Sequence, residues 1–420
     1  MTTSRLYKKT LLAVAVSSLT FASQHAAAAG FQLNSQSATG LGRAFAGDAV
    51  IADNASVMAR NSAAMALFDS HQFSGGVNYI KTSIDVKNID YAYPNSGISD
   101  VNNSSGTPVP NIYYIHRLND KWALGAGIYS NFGTNNNFDD SFGAGTGGPL
   151  PGGGTYPDAS VFGGTTEISS INYALSASYR LNQQWSFGAG IDIVQGSGKL
   201  IRSAAPGVNL VDIEADGVGV GFNLGTVFEL NDDNRFGLSY HYSPEIEAKG
   251  TVKYVNDPSA DSITLPLPSM LEFSGYHKIQ DTKFAVHYSL QWIGWSAFDK
   301  IVTNNNVTVK DYEWKDGYHA AIGGTYYLND AWTLRAGYMY DTAAQDKLTS
   351  ISVPDSDRQW LSAGFGYNFK KHHTVDFGLT YLMGKDVDVQ ETLDPALGTM
   401  LTATTKANAW LAGIQYSYSF

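Results

Sequence analysis

The chain has 420 residues, among them 27 lysines and arginines against 38 aspartates and glutamates, and its formal net charge at pH 7 is −11. This acidic balance, without any basic cluster, argues against nucleic acid as a partner. The chain has no cysteine, which excludes a disulfide framework, thiolate metal ligands and a cysteine nucleophile. No set of nucleophile, base and orienting residue stands out either, so we expect no enzyme activity, no bound metal and no cofactor.

Residues 1–28 have the pattern of a signal peptide. Basic residues up to Lys9 precede an apolar run over Leu11–Ala22, and Ala26-Ala-Ala28 follows as a cleavage site. The run is shorter than the roughly 17–25 residues of a membrane-spanning helix, and no other segment has such a run. We therefore predict cleavage after Ala28 and an exported chain that is periplasmic, secreted or a barrel in the outer membrane.

Residues 29–70 lack the alternation of a strand, and the stretch Ala52–Phe68 is rich in alanine and methionine. We predict one or two short helices here. A segment of this length before the first strand is either a periplasmic extension or a plug folded into a barrel lumen. We favour the plug and define residues 29–70 as an N-terminal hatch domain.

Residues 71–420 alternate between apolar and polar side chains along most of their length. At the C-terminus Ile414, Tyr416, Tyr418 and Phe420 share one face, and the residues between them are small or polar. The chain also has 25 tyrosines, 20 phenylalanines and 8 tryptophans, enough for two aromatic girdles. With an export signal in front, this pattern predicts an all-β transmembrane barrel with lipid outside and a polar lumen.

Polar turns and long connections alternate along this region. In each turn an aromatic strand end is followed by polar residues, commonly Asn or Asp, before the next strand begins. The six turns lie in 114–122, 179–185, 228–236, 279–284, 327–332 and 369–374. The seven long connections are 87–108, 132–166, 204–216, 251–268, 301–312, 342–356 and 390–404. Six turns and seven loops predict 14 antiparallel strands, with both termini on the short-turn side.

Several short blocks span the mature chain in order. They include Ala29-Gly-Phe-Gln-Leu-Asn34, Gly40-Leu-Gly-Arg-Ala-Phe-Ala-Gly47, Ser130-Asn-Phe-Gly133, Trp295-Ser-x-Phe298 and Val353-Pro-Asp-x-Asp-Arg358. In these blocks the chain resembles the FadL-type outer-membrane transporters of long-chain fatty acids and other hydrophobic compounds. The resemblance implies a fourteen-stranded barrel with a hatch, an internal ligand pocket, and a gap where the third strand is kinked. It also implies passive movement of the ligand through that gap into the outer leaflet.

A fatty acid needs an apolar path and one cation, because a carboxylate in a low-dielectric pocket must be paired. Arg202 stands where the family has a pocket arginine, and alternation from Asp192 places it on the lumenal face. Its other role would be a lumenal charge paired with Asp192 or Glu214. The family has a second pocket cation, a lysine, at the position that Val302 occupies here, and Lys300, two residues away, could replace it.

The resemblance also assigns residues of the hatch and of the gap. Phe31 is implied to line the ligand pocket, although an N-terminal phenylalanine is also a residue that can be poorly ordered. Asn131, Phe132 and Gly133 stand where the third strand is expected to kink; the alternative is an ordinary strand end. The family's Asn-Pro-Ala in the hatch is Asn61-Ser62-Ala63 here, which removes a fixed φ and predicts that the hatch is held differently.

Together these features predict passive uptake of long-chain fatty acids in the outer membrane of a Gram-negative bacterium, by lumenal binding and lateral release. The alternatives are transport of other hydrophobic compounds such as aromatic hydrocarbons, and a surface antigen, adhesin or phage-receptor role of the loops. The expected partners are the hydrophobic ligand, outer-membrane lipid and lipopolysaccharide, and the barrel-assembly machinery through the C-terminal Phe420. We expect a monomer.

Overall fold

The computed structural model describes residues 30–93, 97–149, 154–393 and 398–420, so the predicted signal peptide lies outside the described residues. The described strands form a closed antiparallel barrel of 14 strands, which confirms the predicted fold class and strand number. The barrel closes where the first strand pairs with the last, from Gln72 opposite Ser419 to Tyr91 opposite Leu401. The start of the first strand and the end of the last strand therefore lie at the short-turn end.

Several strands consist of two segments separated by a short interruption. The first seven are β1 Gln72–Tyr91, β2 Val101–Asn103 and Gly106–Arg117, β3 Trp122–Tyr129 and Gly133–Asn137, β4 Thr165–Arg180, β5 Trp185–Ala205, β6 Val208–Asn231, and β7 Asn234–Tyr242 and Glu245–Tyr254. The others are β8 Ser262–Pro266 and Met270–Lys278, β9 Phe284–Ile293 and Lys300–Thr303, β10 Thr308–Asp311 and Gly317–Tyr327, β11 Trp332–Asp341, β12 Arg358–Phe369, β13 His373–Gly384 and Val387–Glu391, and β14 Leu401–Ser419. A small hairpin, Gly148–Pro149 with Thr155–Tyr156, lies in the loop after β3.

The two faces of the barrel wall have opposite chemistry. Large apolar side chains such as Leu175, Val220 and Ile322 are exposed on the outside. Polar side chains such as Asn223 and Gln415 are buried on the inside. Because the alternation of the sequence places these residues on opposite faces, the outer face suits lipid and the inner face suits a polar lumen.

All six predicted short turns are present, and three of them share one device. The side-chain oxygens of Asn119, Asn182 and Asn329 each accept a hydrogen bond from the backbone N–H of a tryptophan three residues later, at 3.0, 2.8 and 2.9 Å. This Asx geometry closes the turn and starts the next strand with an aromatic ring.

Two predicted loops were wrong. Residues 204–216 belong to a hairpin in which β5 and β6 continue to a turn at Pro206-Gly207, with Ala205 opposite Val208. Likewise, most of 301–312 lies in strands, because Lys300 pairs with Asp311 and the turn is confined to 304–307. At 211–216 the side chains do alternate, but the apolar ones, Val211, Ile213 and Ala215, are buried inside and acidic ones face outwards, the reverse of a membrane strand. At 300–311 the two strand segments have only four residues each, too few for the alternation to mark them.

The N-terminal segment, residues 30–68, lies inside the ring of strands. It contains the short helix α1, Ala38–Leu41, and 3₁₀ helices at Ala55–Ala59 and Ser62–Leu67, as the composition of 52–68 predicts. Glycines of the wall permit its close approach: a Cβ atom on Gly225 of β6 would lie 1.9 Å from Asn61 Oδ1, and one on Gly378 of β13 would lie 2.4 Å from the Ala38 carbonyl. The segment thus contacts well-separated parts of the wall.

Two further 3₁₀ helices occupy Ala159–Val161 and Trp295–Ala297. Among the residues that the structure describes, no helix is both long enough and apolar enough to cross a membrane.

Candidate functional site

The third strand is interrupted at the predicted kink. Tyr129 pairs with Asn172 of β4, whereas Gly133 pairs with Ser169, so β3 has one more residue than β4 between these two pairs. That extra residue makes a β-bulge, which bends the strand. Asn131 and Phe132 are buried at the bend, and the strand therefore turns towards the lumen rather than ending at the membrane edge.

The N-terminal segment takes the place of β2 as the neighbour of β3 at this bend. Gln32 forms a β-bridge with Phe132. The Leu33 N–H donates to the Asn131 carbonyl and the Gly133 N–H donates to the Phe31 carbonyl, both at 2.7 Å. The ladder between β2 and β3 runs only from Arg117 opposite Ala123 to Ile112 opposite Ile128. Beyond that pair, β3 is bonded to the N-terminal segment on one side and to β4 on the other.

Phe31 is the centre of an apolar site beside the bend. Its ring is fully buried and lies 4.7 Å from the ring of Trp295 and 4.9 Å from that of Phe298, measured between centroids. The rings that surround it, which we call the aromatic cluster, are Phe132, Trp295, Phe298, Tyr312 and Trp314. Aliphatic side chains of β5 to β8 extend the cluster towards the long-loop end. The site offers an apolar surface and is filled by these rings.

Arg202 borders this cluster on the lumenal face of β5. Its guanidinium donates to the Thr165 carbonyl at 2.7 Å and to Thr166 Oγ1 at 2.6 Å. Tyr312, whose ring lies 4.6 Å from that of Phe298, interacts with the guanidinium electrostatically. The guanidinium and the aromatic cluster therefore meet at Tyr312.

In the described part of the chain no carboxylate lies within 4.0 Å of the Arg202 guanidinium. The buried carboxylate of Glu391 acts on it only at longer range and is paired with Lys310 at 3.2 Å. The partners considered from the sequence are engaged elsewhere. Asp192 accepts hydrogen bonds from Tyr129 and Asn223, and Glu214 pairs with Lys199 at 3.3 Å. Neutral oxygens thus hold a partly buried cation that a carboxylate ligand could pair with.

Lys300 lies on an exposed position of β9. On the same strand segment Ile301 and Thr303 are buried, and Ile301 packs in the apolar core around Phe31. The structure therefore does not place Lys300 in the lining of that core, whereas it brings Arg202 and Phe31 to the same core. The ligand roles of all three residues stay predictions.

A buried ionic network, which sequence reasoning missed, attaches the N-terminal segment to the wall. Arg60 pairs with Glu272 of β8 at 3.2 Å and also bonds Asn34 and Gln36 at 2.8 and 3.0 Å. Arg60 and Glu272 are both more than nine-tenths buried. The only signal in the sequence was the presence of arginines in a segment otherwise rich in alanine.

A second part of this network joins the segment to β11. Arg43 pairs with Asp48 at 2.6 Å and with Asp53 at 2.5 Å, and Arg335 lies 3.4 Å from the same Asp53 carboxylate. Burial alone would raise the pKa of Asp53, but the two guanidinium groups lower it to about 2. The segment is thus held to the wall by charges that remain ionised at neutral pH.

The departure at Asn61-Ser62-Ala63 leaves the local helix intact. Asn61 caps the 3₁₀ helix, since its side-chain oxygen accepts from the Ala63 N–H at 3.0 Å. Its amide donates to the Ala49 carbonyl at 2.9 Å and to the Thr226 carbonyl of β6 at 3.1 Å. Ser62 occupies the first helical position, which proline also suits. The asparagine rather than the missing proline therefore fixes the start of this helix.

Comparison with known proteins gives consistent matches over the whole chain. Residues 19–420 match the family described as outer membrane protein transport protein (OMPP1/FadL/TodX). The chain is 33% identical to the long-chain fatty acid transport protein of Escherichia coli O6:H1, with 100% of both chains covered. It is also 33% identical to outer membrane protein P1 of Haemophilus influenzae, with 99% of both covered.

Solved structures share the fold. A Pseudomonas aeruginosa FadL homologue superposes with a TM-score of 0.80 at 22% identity, covering 93% of this chain and 100% of that one. The Pseudomonas putida toluene transporter TodX gives a TM-score of 0.66 at 19% identity, covering 94% and 100%.

Proposed function

The chain belongs to the OMPP1/FadL/TodX family of outer-membrane transport proteins, and from this premise we propose that it takes up long-chain fatty acids passively. It is a β-barrel of the outer membrane. Several relatives at about one-third identity carry the name long-chain fatty acid transport protein. We propose the same substrate for this chain and assign its binding to particular residues.

One observation supports the proposal most: a partly buried guanidinium with no carboxylate within ion-pairing distance, in the described part of the chain, borders a buried aromatic cluster. A fatty acid presents the complementary pair of groups, a carboxylate and a long apolar tail. Arg202 would bind the carboxylate through parallel N–H donors, and Phe31 with Phe298 would contact the tail. Pairing with the ligand would also remove the cost of holding the Arg202 charge among apolar side chains.

The N-terminal segment would act as the hatch of this path. Phe31 fills the centre of the apolar site, so a ligand must displace its ring, and that ring belongs to the residues bonded to β3. Moving Phe31 would free the bend at Asn131 to Gly133. We propose that the ligand then leaves between β2 and β3, where the ladder stops at Ile112, and enters the outer leaflet down its own gradient.

The test of this proposal compares two ligands with the same tail. Arg202→Ala should weaken oleate binding by about 2–5 kcal/mol, the usual cost of removing one partner of a buried charge pair. Binding of oleyl alcohol should change little. Lys199→Ala is the matched control, because Lys199 is on the same strand, is only half-buried and is already paired with Glu214. Equal losses for both ligands would show that Arg202 does not recognise the carboxylate.

A second candidate function is transport of aromatic hydrocarbons. The aromatic cluster favours it, because rings at 4.7 and 4.9 Å from Phe31 form edge-to-face contacts that an aromatic ligand could replace. Such a ligand has no carboxylate, so Arg202→Ala would leave its uptake unchanged. Assembly through the C-terminal Phe420, which is exposed at the end of β14, and a monomeric state belong to either version.

A further inference from the structure

Strand β2 has two prolines, Pro108 and Pro110, on the stretch where it has no ladder with β3. Proline has no N–H to donate and is confined to edges or bulges of sheets. β2 nevertheless pairs with β1 without interruption from Gly106 opposite Lys81 to Ile115 opposite Gln72. The role of the two prolines therefore depends on whether their nitrogens face β1 or β3.

The hydrogen-bond pattern between β2 and β1 shows that the two proline nitrogens face away from β1. The Thr82 N–H donates to the Ser105 carbonyl at 2.9 Å, so this is a hydrogen-bonded pair. Hydrogen-bonded pairs alternate along an antiparallel ladder, so Thr107 and Val109 also bond to β1. Pro108 and Pro110 stand in the non-hydrogen-bonded pairs between them. Their nitrogens and carbonyls point away from β1, towards the β3 side.

The register with β3 gives the same answer. The Leu118 N–H donates to the Trp122 carbonyl at 2.9 Å, and the last ladder pair joins Ile112 and Ile128. The bulge adds one residue to β3 and turns the Phe132 backbone towards β4, where its carbonyl accepts from the Ser170 N–H at 2.9 Å, so the register shifts by one residue beyond the bulge. In that register Pro110 would face Asn131 and Pro108 would face Gly133. Both would be hydrogen-bonded pairs in which β2 has a pyrrolidine ring instead of a donor.

We propose that Pro108 and Pro110 are positioning residues of the lateral opening, which keep the edge of β2 from pairing with β3. At the bend β3 has two potential partners, the Phe31–Leu33 backbone and the edge of β2. When a ligand displaces Phe31, the backbone groups of Asn131 and Gly133 lose their partners. A β2 edge with a full set of donors would then capture β3 and close the wall, and the prolines prevent this. The transport half of this inference rests on the proposed function.

The test restores the missing donors. Pro108→Thr/Pro110→Thr introduces a strand-forming residue with an N–H at both positions. The chain has no cysteine, so a Val109→Cys/Phe132→Cys pair reports closure cleanly. In the register beyond the bulge these residues form a non-hydrogen-bonded pair with Cα atoms about 4.5 Å apart, within reach of a disulfide. Closure is measured as disulfide formed during incubation with oleate and a mild oxidant. Uptake is measured in the same backgrounds without the cysteines.

The expected result is that the threonine variant traps the disulfide roughly tenfold more than the parent, as two restored hydrogen bonds would allow, and loses most oleate uptake. Pro206→Thr, at the exposed turn between β5 and β6, is the control and should behave like the parent. Heat-modifiable gel migration verifies folding. If the double variant does not fold, Pro110→Thr alone restores the donor nearest to the last observed pair.

Parental trapping and parental uptake in the threonine variant would overturn the proposal. Increased trapping with unchanged uptake would also overturn it, since a closed edge would then not obstruct exit. If the parent chain itself took up no oleate, the proposed function would fail, while the disulfide measurement would still decide whether the prolines keep the edge open.

Discussion

Removing Glu272 should detach the N-terminal segment without opening the barrel. Glu272→Ala leaves the Arg60 guanidinium buried, with its remaining hydrogen bonds to Asn34 and Gln36 and with Asp48 Oδ2 at 3.9 Å. Breaking a buried ion pair in this way costs about 3–5 kcal/mol. The surviving bonds offset part of that cost, so we expect the lower end, about 3 kcal/mol, or roughly a hundredfold in the opening equilibrium.

Hydrogen exchange measures this opening. Peptides from residues 30–68 should exchange roughly a hundredfold faster in Glu272→Ala, whereas peptides from the strands should keep their rates because backbone ladders close the barrel. Asp212→Ala is the control: it removes an exposed pair with Lys253 at 3.3 Å, which is worth at most about 1 kcal/mol. A second variant, Arg60→Leu/Glu272→Leu, removes both charges and should recover much of the protection.

Two results would refute this reasoning. Unchanged exchange in residues 30–68 would show that the ion pair does not hold the segment to the wall. An equal increase in all strands would show that the segment and the barrel open as one cooperative unit.

Three other predictions follow from the same contacts. Arg43 and Arg335 lower the pKa of Asp53 from 3.8 to about 2. The ionised carboxyl therefore stabilises the attached segment above about pH 4, and this stabilisation is lost as the pH falls towards 2. Hydrogen exchange in residues 30–68 should become faster over that range in the parent, and less steeply so in Asp53→Asn. Ser62→Pro should stabilise the helix that follows by about 0.4–1 kcal/mol and so slow its hydrogen exchange. Asn61 already has the extended conformation, φ −150° and ψ 105°, that a residue before proline needs. Faster exchange would contradict this prediction. An impermeant thiol reagent on intact cells should label Gly147→Cys in the loop after β3 but not Asn182→Cys in a short turn, and the reverse result would invert the barrel.

The fold was predictable because its signals are local. Alternation along a strand, as between Ile414 and Gln415, depends on a few neighbouring residues. The same is true of the asparagine turns at Asn119, Asn182 and Asn329. The same locality explains the errors at 204–216 and 301–312, because the first strand pair has a polar outer face beyond the membrane and the second has only four residues in each strand. The predicted number of strands was still correct, because both connections exist and only their lengths were predicted wrongly.

The site was predictable only in part. Strand alternation gives the face of Arg202, but its partners depend on side-chain reach, and the sequence could not show that Asp192 and Glu214 are engaged elsewhere. The ion pair between Arg60 and Glu272 joins residues 212 positions apart, and no local pattern indicates it. The prolines of β2 were visible in the sequence, but their meaning required the register with both neighbouring strands.

The most direct test of the account maps the bound ligand itself. An eighteen-carbon fatty acid with a diazirine on its terminal carbon is bound to the protein, irradiated, and located by mass spectrometry of the labelled peptides. The account predicts saturable labelling of Phe31 or of the aromatic cluster around it, at Trp295 or Phe298, which moves to other positions or disappears in Arg202→Ala. Labelling confined to the lipid-facing side of the strands, or unaffected by excess oleate, would contradict binding in the lumen.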